Sequence, residues 1–186
     1  MQSTLKKTSS LLLSILIISS MSLSAMAQSF NLSSNDITHG EFMDSQQAFN
    51  GFGCTGSDQS PHLKWSNPPK GTKSFAITAY DPDAPTGSGW WHWQVINIPL
   101  TVLELNNNAG DKNNKKLKQI ENDYGVKGFG GACPPAGHGA HRYQFTVHAL
   151  SLSVLEVPDD ASGALTGYMI NANTIESKTI EALYKR

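Results

Sequence analysis

Ser74-Phe75-Ala76-Ile77-Thr78-Ala79-Tyr80 runs into Asp81-Pro82-Asp83-Ala84-Pro85, and this passage decides the fold. The first seven residues are rich in aromatic and β-branched side chains and read as a strand. Proline has no amide hydrogen to give a ladder, so the strand stops there. His92-Trp93-Gln94-Val95-Ile96-Asn97-Ile98 repeats the pattern and is stopped by Pro99. Tyr143 to Leu150 alternates: Tyr143, Phe145, Val147 and Ala149 fall on one face, Gln144, Thr146 and His148 on the other. Shorter candidates lie at 30–33, 63–65 and 179–184. One helix is expected after Pro158, capped by Asp160 or Ser162, with Leu165, Tyr168 and Met169 on its apolar side. No strand–helix–strand rhythm runs through the chain. The expected fold is mainly β, an antiparallel β-sandwich with minor helices.

The first 27 residues stand apart. Lys6 and Lys7 precede an apolar run from Leu11 to Ile18, and Ala25-Met26-Ala27 has the small-x-small form of a cleavage site. Residues 1–27 therefore read as a secretory signal peptide and 28–186 as a single domain. Serines at 14, 19, 20, 22 and 24 interrupt the run, which falls short of the about 20 apolar residues that cross a bilayer. No stable membrane insertion is expected, and no cysteine at the cleavage point indicates a lipid anchor. The expected location is the bacterial periplasm, or full secretion. Without the leader, 159 residues remain, with 12 basic against 15 acidic side chains and a net charge of −3. That length builds one hydrophobic core. Lys112, Lys115, Lys116 and Lys118 stand among asparagines and read as a solvated loop. Nucleic acid is not expected as a partner, because its affinity rests on phosphate neutralisation.

The two cysteines, Cys54 and Cys133, each close a glycine-rich phrase, Gly51-Phe52-Gly53-Cys54 and Gly128-Phe129-Gly130-Gly131-Ala132-Cys133. In an exported chain an even count is expected to pair, which would clamp the loop carrying Pro134 and Pro135. Two free thiols or a catalytic cysteine are the alternatives. A bridge closing a loop of roughly 80 residues contributes about 4 kcal/mol in the chain-entropy account.

Polar chemistry gathers in three stretches: 81–85, Gly89-Trp90-Trp91-His92-Trp93, and Cys133-Pro134-Pro135 on to His141-Arg142-Tyr143. Asp81 leaves one strand and His92 enters another, so neighbouring strands would put both at one end of a sheet. His141 and Tyr143, two apart, share a face. Arg142 points the other way and is expected to pair with Asp83 in a structural role. Two imidazoles and a phenol can donate to an anion, and backbone amides of 128–131 are expected to add more. Asp81 is expected to accept a proton from His92 or from the ligand, fixing a tautomer or raising a histidine pKa, with binding that strengthens as pH falls. His39, His62 and His148 read as surface or strand residues. The tryptophans read as core or rim packing, with Trp91 in a supporting role.

Enzyme readings find less support. His138-x-x-His141 with His92 and Asp81 could hold zinc with an open position for water, but His138 sits in a glycine-bounded loop and no HExxH helix is present. Ser88 lies in Thr86-Gly87-Ser88-Gly89, not in a G-x-S-x-G turn between strand and helix. No catalytic residue, metal or cofactor is assigned.

The DPDAP segment at 81–85, the His92 entrance leading to Val95-Ile96-Asn97, and Pro134-Pro135-x5-His141-Arg142-Tyr143 together resemble the two signature regions of the phosphatidylethanolamine-binding proteins, in particular their bacterial Raf-kinase-inhibitor-like branch. The resemblance runs from about Phe30 to Tyr184. It implies two antiparallel sheets and a small surface pocket for phosphate or phosphoryl head groups. Asp81, His92, Pro135, His141 and Tyr143 match the pocket-lining positions, and Asp83 a second acid nearby. Cys133 departs from a glycine common among relatives, in accord with the disulfide. Family members are associated with inhibition of kinases or serine proteases. For an exported chain this implies an envelope protease or a host protein as partner, since a kinase is in another compartment.

Overall fold

The computed structural model describes residues 28–186, so the expected signal peptide at 1–27 lies outside the described residues. In chain order it contains β1 (Asn31–Ser33), β2 (Asn50–Gly51), β3 (Cys54–Thr55), β4 (Leu63–Ser66), β5 (Ser74–Asp81), β6 (Trp90–Pro99), β7 (Glu104–Leu105), β8 (Lys118–Gln119), β9 (His141–Leu150), α1 (Gly163–Ala172) and β10 (Thr174–Tyr184). The central sheet has the order β10-β9-β5-β6-β8, and its neighbouring strands are antiparallel. A second sheet, β1-β4-β7, packs on it, and β2-β3 is a separate hairpin. The antiparallel sandwich expected from the strand pattern is the observed architecture. No helix among the described residues is long and apolar enough to cross a membrane.

Strand parity explains the packing. Phe75, Ile77 and Ala79 of β5, Trp93 and Val95 of β6, and Tyr143, Phe145 and Val147 of β9 meet Leu32, Leu63 and Trp65 of the smaller sheet in one core. The other face of the central sheet is covered too, because Ala76, Ile96 and Leu150 meet Leu155, Val157, Ala161 and Ile170. A strand covered on both faces carries few polar residues, which accounts for the composition of SFAITAY. His148 is correspondingly a buried strand residue, with Nε2 3.1 Å from the Thr78 hydroxyl. His62, expected at the surface or in a strand, is buried just ahead of β4. Its Nδ1 accepts from the Asn35 amide and its Nε2 donates to Glu104.

The helix starts at the expected cap, Ser162, whose hydroxyl accepts from the Leu165 amide. Its buried face differs from the expected one. Leu165 and Tyr168 are exposed, whereas Gly163, Thr166, Gly167 and Ile170 face the sheet. Trp91 is the reason. A Cβ on Gly163 would lie 2.6 Å from the indole and one on Gly167 2.8 Å, so only two glycines one turn apart let α1 lie across that ring.

Candidate functional site

The site is built at one end of the central sheet by an irregularity in strand pairing. Asp81 of β5 stands opposite Trp90 of β6, Tyr80 opposite Trp91, and Ala79 opposite Trp93. His92 is therefore an extra residue, a β-bulge. Because of it, His92 turns toward the side that Asp81 and Tyr143 occupy, while Trp91 turns to the opposite face beneath α1. Trp91 was the tryptophan expected to support the site. Its contacts are instead with Tyr80 and the two helix glycines, and Trp90 lines the cavity.

Asp81, His92, Pro135, His141 and Tyr143 all line one cavity of about 180 Å³, together with Pro85, Trp90, Tyr124 and Pro134. Cys54 and Cys133 are disulfide-bonded, with Cα atoms 6.0 Å apart, the pairing expected from their even count. The bridge fastens the β2–β3 hairpin to the segment that carries Pro134 and Pro135. Phe52, at the hairpin tip with a left-handed φ of 51°, is 72% exposed and borders the cavity mouth.

Hydrogen bonds assign the polar groups. Asp81 is buried, with Oδ2 accepting from His141 Nδ1 at 2.8 Å and Oδ1 from the Asp83 amide at 2.8 Å. The carboxylate thus holds His141 and not His92, contrary to expectation, because the bulge directs His92 Nδ1 to the Gly130 carbonyl 2.7 Å away. A carbonyl only accepts, so Nδ1 carries the proton and the Nε2 of the neutral ring is a lone pair. Burial holds the His92 pKa below its ordinary value and outweighs the Asp81 carboxylate, so of the two expected effects a raised pKa is not found at this ring. The Tyr143 hydroxyl is pushed up in pKa by burial and by Asp81, so it stays protonated. His92 Nε2, Tyr143 Oη and Trp90 Nε1 are buried without a hydrogen-bond partner in the protein. His141 Nε2 lies 3.2 Å from Nδ1 of His138, an exposed loop residue.

Three of the amides of the glycine-rich loop, expected as donors to the cavity, are committed elsewhere. Phe129 N–H donates to Gly110 O, Gly130 N–H to His92 O and Gly131 N–H to Asp58 Oδ1. They tie the loop to its neighbours, as buried backbone groups must be tied. Arg142 and Asp83 form the expected pair on the other side of β9, with Nε to Oδ2 at 2.9 Å and Nη2 to Oδ1 at 2.7 Å. The guanidinium holds the Asp83 carboxyl below the usual carboxylate range. Tyr124, which the sequence reading did not single out, lines the cavity. It stacks on Phe49 with centroids 3.9 Å apart and donates to Gly131 O at 3.0 Å. It occupies a turn between β8 and β9, where no periodicity marks a buried side. Among the described residues no three His, Cys, Asp or Glu side chains converge to hold a metal ion.

The sandwich with its prolyl-walled cavity points to a class. Residues 33–185 match the family described as phosphatidylethanolamine-binding protein, and the chain belongs to that family. The UPF0098 protein YbcL of Escherichia coli is 52% identical over 166 residues, covering 87% of this chain and 91% of that protein. YbhB of the same organism, also a UPF0098 protein, is 44% identical over 156 residues, covering 82% and 98%. The crystal structure of Escherichia coli YbcL, described as a new member of the mammalian PEBP family, superposes with a TM-score of 0.82, covering 84% of this chain and 98% of that one.

Proposed function

We propose that this chain is an exported binding protein for a small anion, phosphate or a phosphoryl head group, and that ligand occupancy modulates a partner protein. One observation carries the reading: His92, Tyr143 and Trp90 line a single cavity, and each has a buried polar atom without a partner in the protein. Buried polar groups in folded proteins are paired, so these are the groups that a bound ligand would satisfy. The volume of about 180 Å³ suits a head group, being below the several hundred Å³ of sites for larger ligands. The lining also favours binding over catalysis, since Thr86 Oγ1 donates to the Gly89 carbonyl and Cys133 is oxidised. Export is supported by the leader-like residues 1–27 and by the disulfide, a bond of oxidising compartments.

Titration calorimetry of residues 28–186 with inorganic phosphate tests the anion. Saturable binding that Tyr143→Phe weakens several-fold is expected, and no binding at millimolar phosphate would reject the reading. N-terminal sequencing of the protein from a periplasmic extract should begin at Gln28. A second reading, docking on an envelope protease or a host protein, is favoured by the exposure of Phe52 on a disulfide-anchored hairpin. If docking acts alone, an effect on such a partner would survive His141→Ala and be lost in Phe52→Ala.

A further inference from the structure

We infer that the cavity selects oxyanions that themselves carry a proton, and so binds hydrogen phosphate in preference to sulfate. The inference rests on the anion-binding reading and adds a rule about which anion. It follows from the sense of each unpartnered group. Trp90 Nε1 can only donate, and Tyr143 Oη can donate. His92 differs, because its Nδ1–H is committed to Gly130 O at 2.7 Å, leaving an unpartnered Nε2 lone pair on a ring that lines the cavity. The other histidine offers no relief. His141 Nδ1–H is committed to Asp81, and its Nε2 faces His138 Nδ1 at 3.2 Å.

Two donors and one acceptor, all buried, are complementary to an anion with several acceptor oxygens and one O–H. Hydrogen phosphate has that O–H, which donates to His92 Nε2 while its remaining oxygens accept from Tyr143 and Trp90. Sulfate has the same tetrahedral shape and the same double charge at neutral pH, but no proton, so one of its oxygens would confront the lone pair. Repulsion from the Asp81 carboxylate acts on both dianions alike and cancels from the comparison. The alternative for sulfate is to protonate His92. The charged groups facing that ring are Asp81 from β5 and Asp123 from the β8–β9 connection, with Tyr124 and Tyr143 against its edges. The two carboxylates favour the imidazolium and burial opposes it, with burial the larger effect.

The same rule separates phosphorus ligands. A monoester keeps a proton only below its second pKa of about 6. A phosphodiester, the linkage in a lipid head group, has no P–OH at all and falls with sulfate.

The test is titration calorimetry on residues 28–186 at pH 7.5 and constant ionic strength, with sodium phosphate, sodium sulfate and dimethyl phosphate as probes. Phosphate is expected to bind about ten- to a hundredfold more tightly than either of the others, the ratio for one unpaired buried group. Methyl phosphate should weaken by about tenfold per pH unit above its second pKa of about 6, while inorganic phosphate, which keeps a proton throughout, stays nearly level. Sulfate binding as tightly as phosphate, or methyl phosphate affinity flat from pH 6 to 8, overturns the selection rule while leaving the anion site intact. Failure of every probe to bind overturns the site as well. His92→Gln, whose amide can turn a donor into the cavity, is expected to narrow the ratio of phosphate to sulfate. Because the decisive ratios come from the unaltered protein, misfolding of that variant would not obscure the result.

Discussion

His141 Nδ1 of β9 donates to Oδ2 of Asp81 on β5 across 2.8 Å, with both residues 3% exposed. The pair crosses the end of the central sheet where the cavity opens. Asp81 spends its second oxygen on the Asp83 amide, so this carboxylate organises the wall and has little left for a ligand. The groups left for a guest belong to His92, Tyr143 and Trp90.

Asp81→Asn should therefore destabilise the fold. An amide can accept from only one of the two donors, and its NH₂ then faces the other. A loss of about 2 kcal/mol, typical of a hydrogen bond to a buried charged group, is expected in urea unfolding. An unchanged midpoint would show that the carboxylate does not hold His141.

Arg142→Ala should lower Tm modestly and leave phosphate affinity unchanged, because the guanidinium binds Asp83 on the side of β9 away from the cavity. The drop should shrink in high salt, as for any exposed ion pair. Lost binding with normal melting would place Arg142 in the site.

Acid should destabilise the protein before its carboxylates titrate. His148 is held neutral by burial, its pKa pushed down to about 4 from 6.5. The unfolded chain binds a proton there that the folded chain refuses, so this contribution is complete above pH 6.5 and is lost as pH falls toward 4. It amounts to about 3 kcal/mol across that window, and His92 acts in the same direction. Unfolding free energies measured from pH 7 to 4.5 should show the fall, and His148→Gln should flatten it.

Reduction of Cys54–Cys133 should cost about 4 kcal/mol of stability and loosen the cavity wall at Pro134 and Pro135. Cys54→Ser with Cys133→Ser should reproduce both effects. Phosphate affinity that is unchanged while Tm falls would separate the clamp from the site.

Much of the fold was legible because it rests on local chemistry. Alternation in Tyr143–Leu150, proline stops after Tyr80 and Ile98, and the Ser162 cap each mark their element within a few residues. The two signature stretches likewise named five of the side chains that line the cavity. The helix face was misread because apolar spacing favours Leu165 and Tyr168, whereas the contact that decides it is Trp91 against Gly163 and Gly167. Tyr124 was missed because a residue in a turn has no period to betray its burial.

The chain by itself determined the strands, their polar ends and the even pair of cysteines, since each follows from spacing and residue type. Only the tertiary structure decided which side chains line the cavity and which of their polar atoms stay without a partner. The bulge at His92 reverses strict alternation, sends Trp91 under the helix, and gives His92 Nδ1 a carbonyl 2.7 Å away. A tautomer depends on the neighbour that a ring meets in space, and that neighbour, Gly130, stands 38 positions away in sequence.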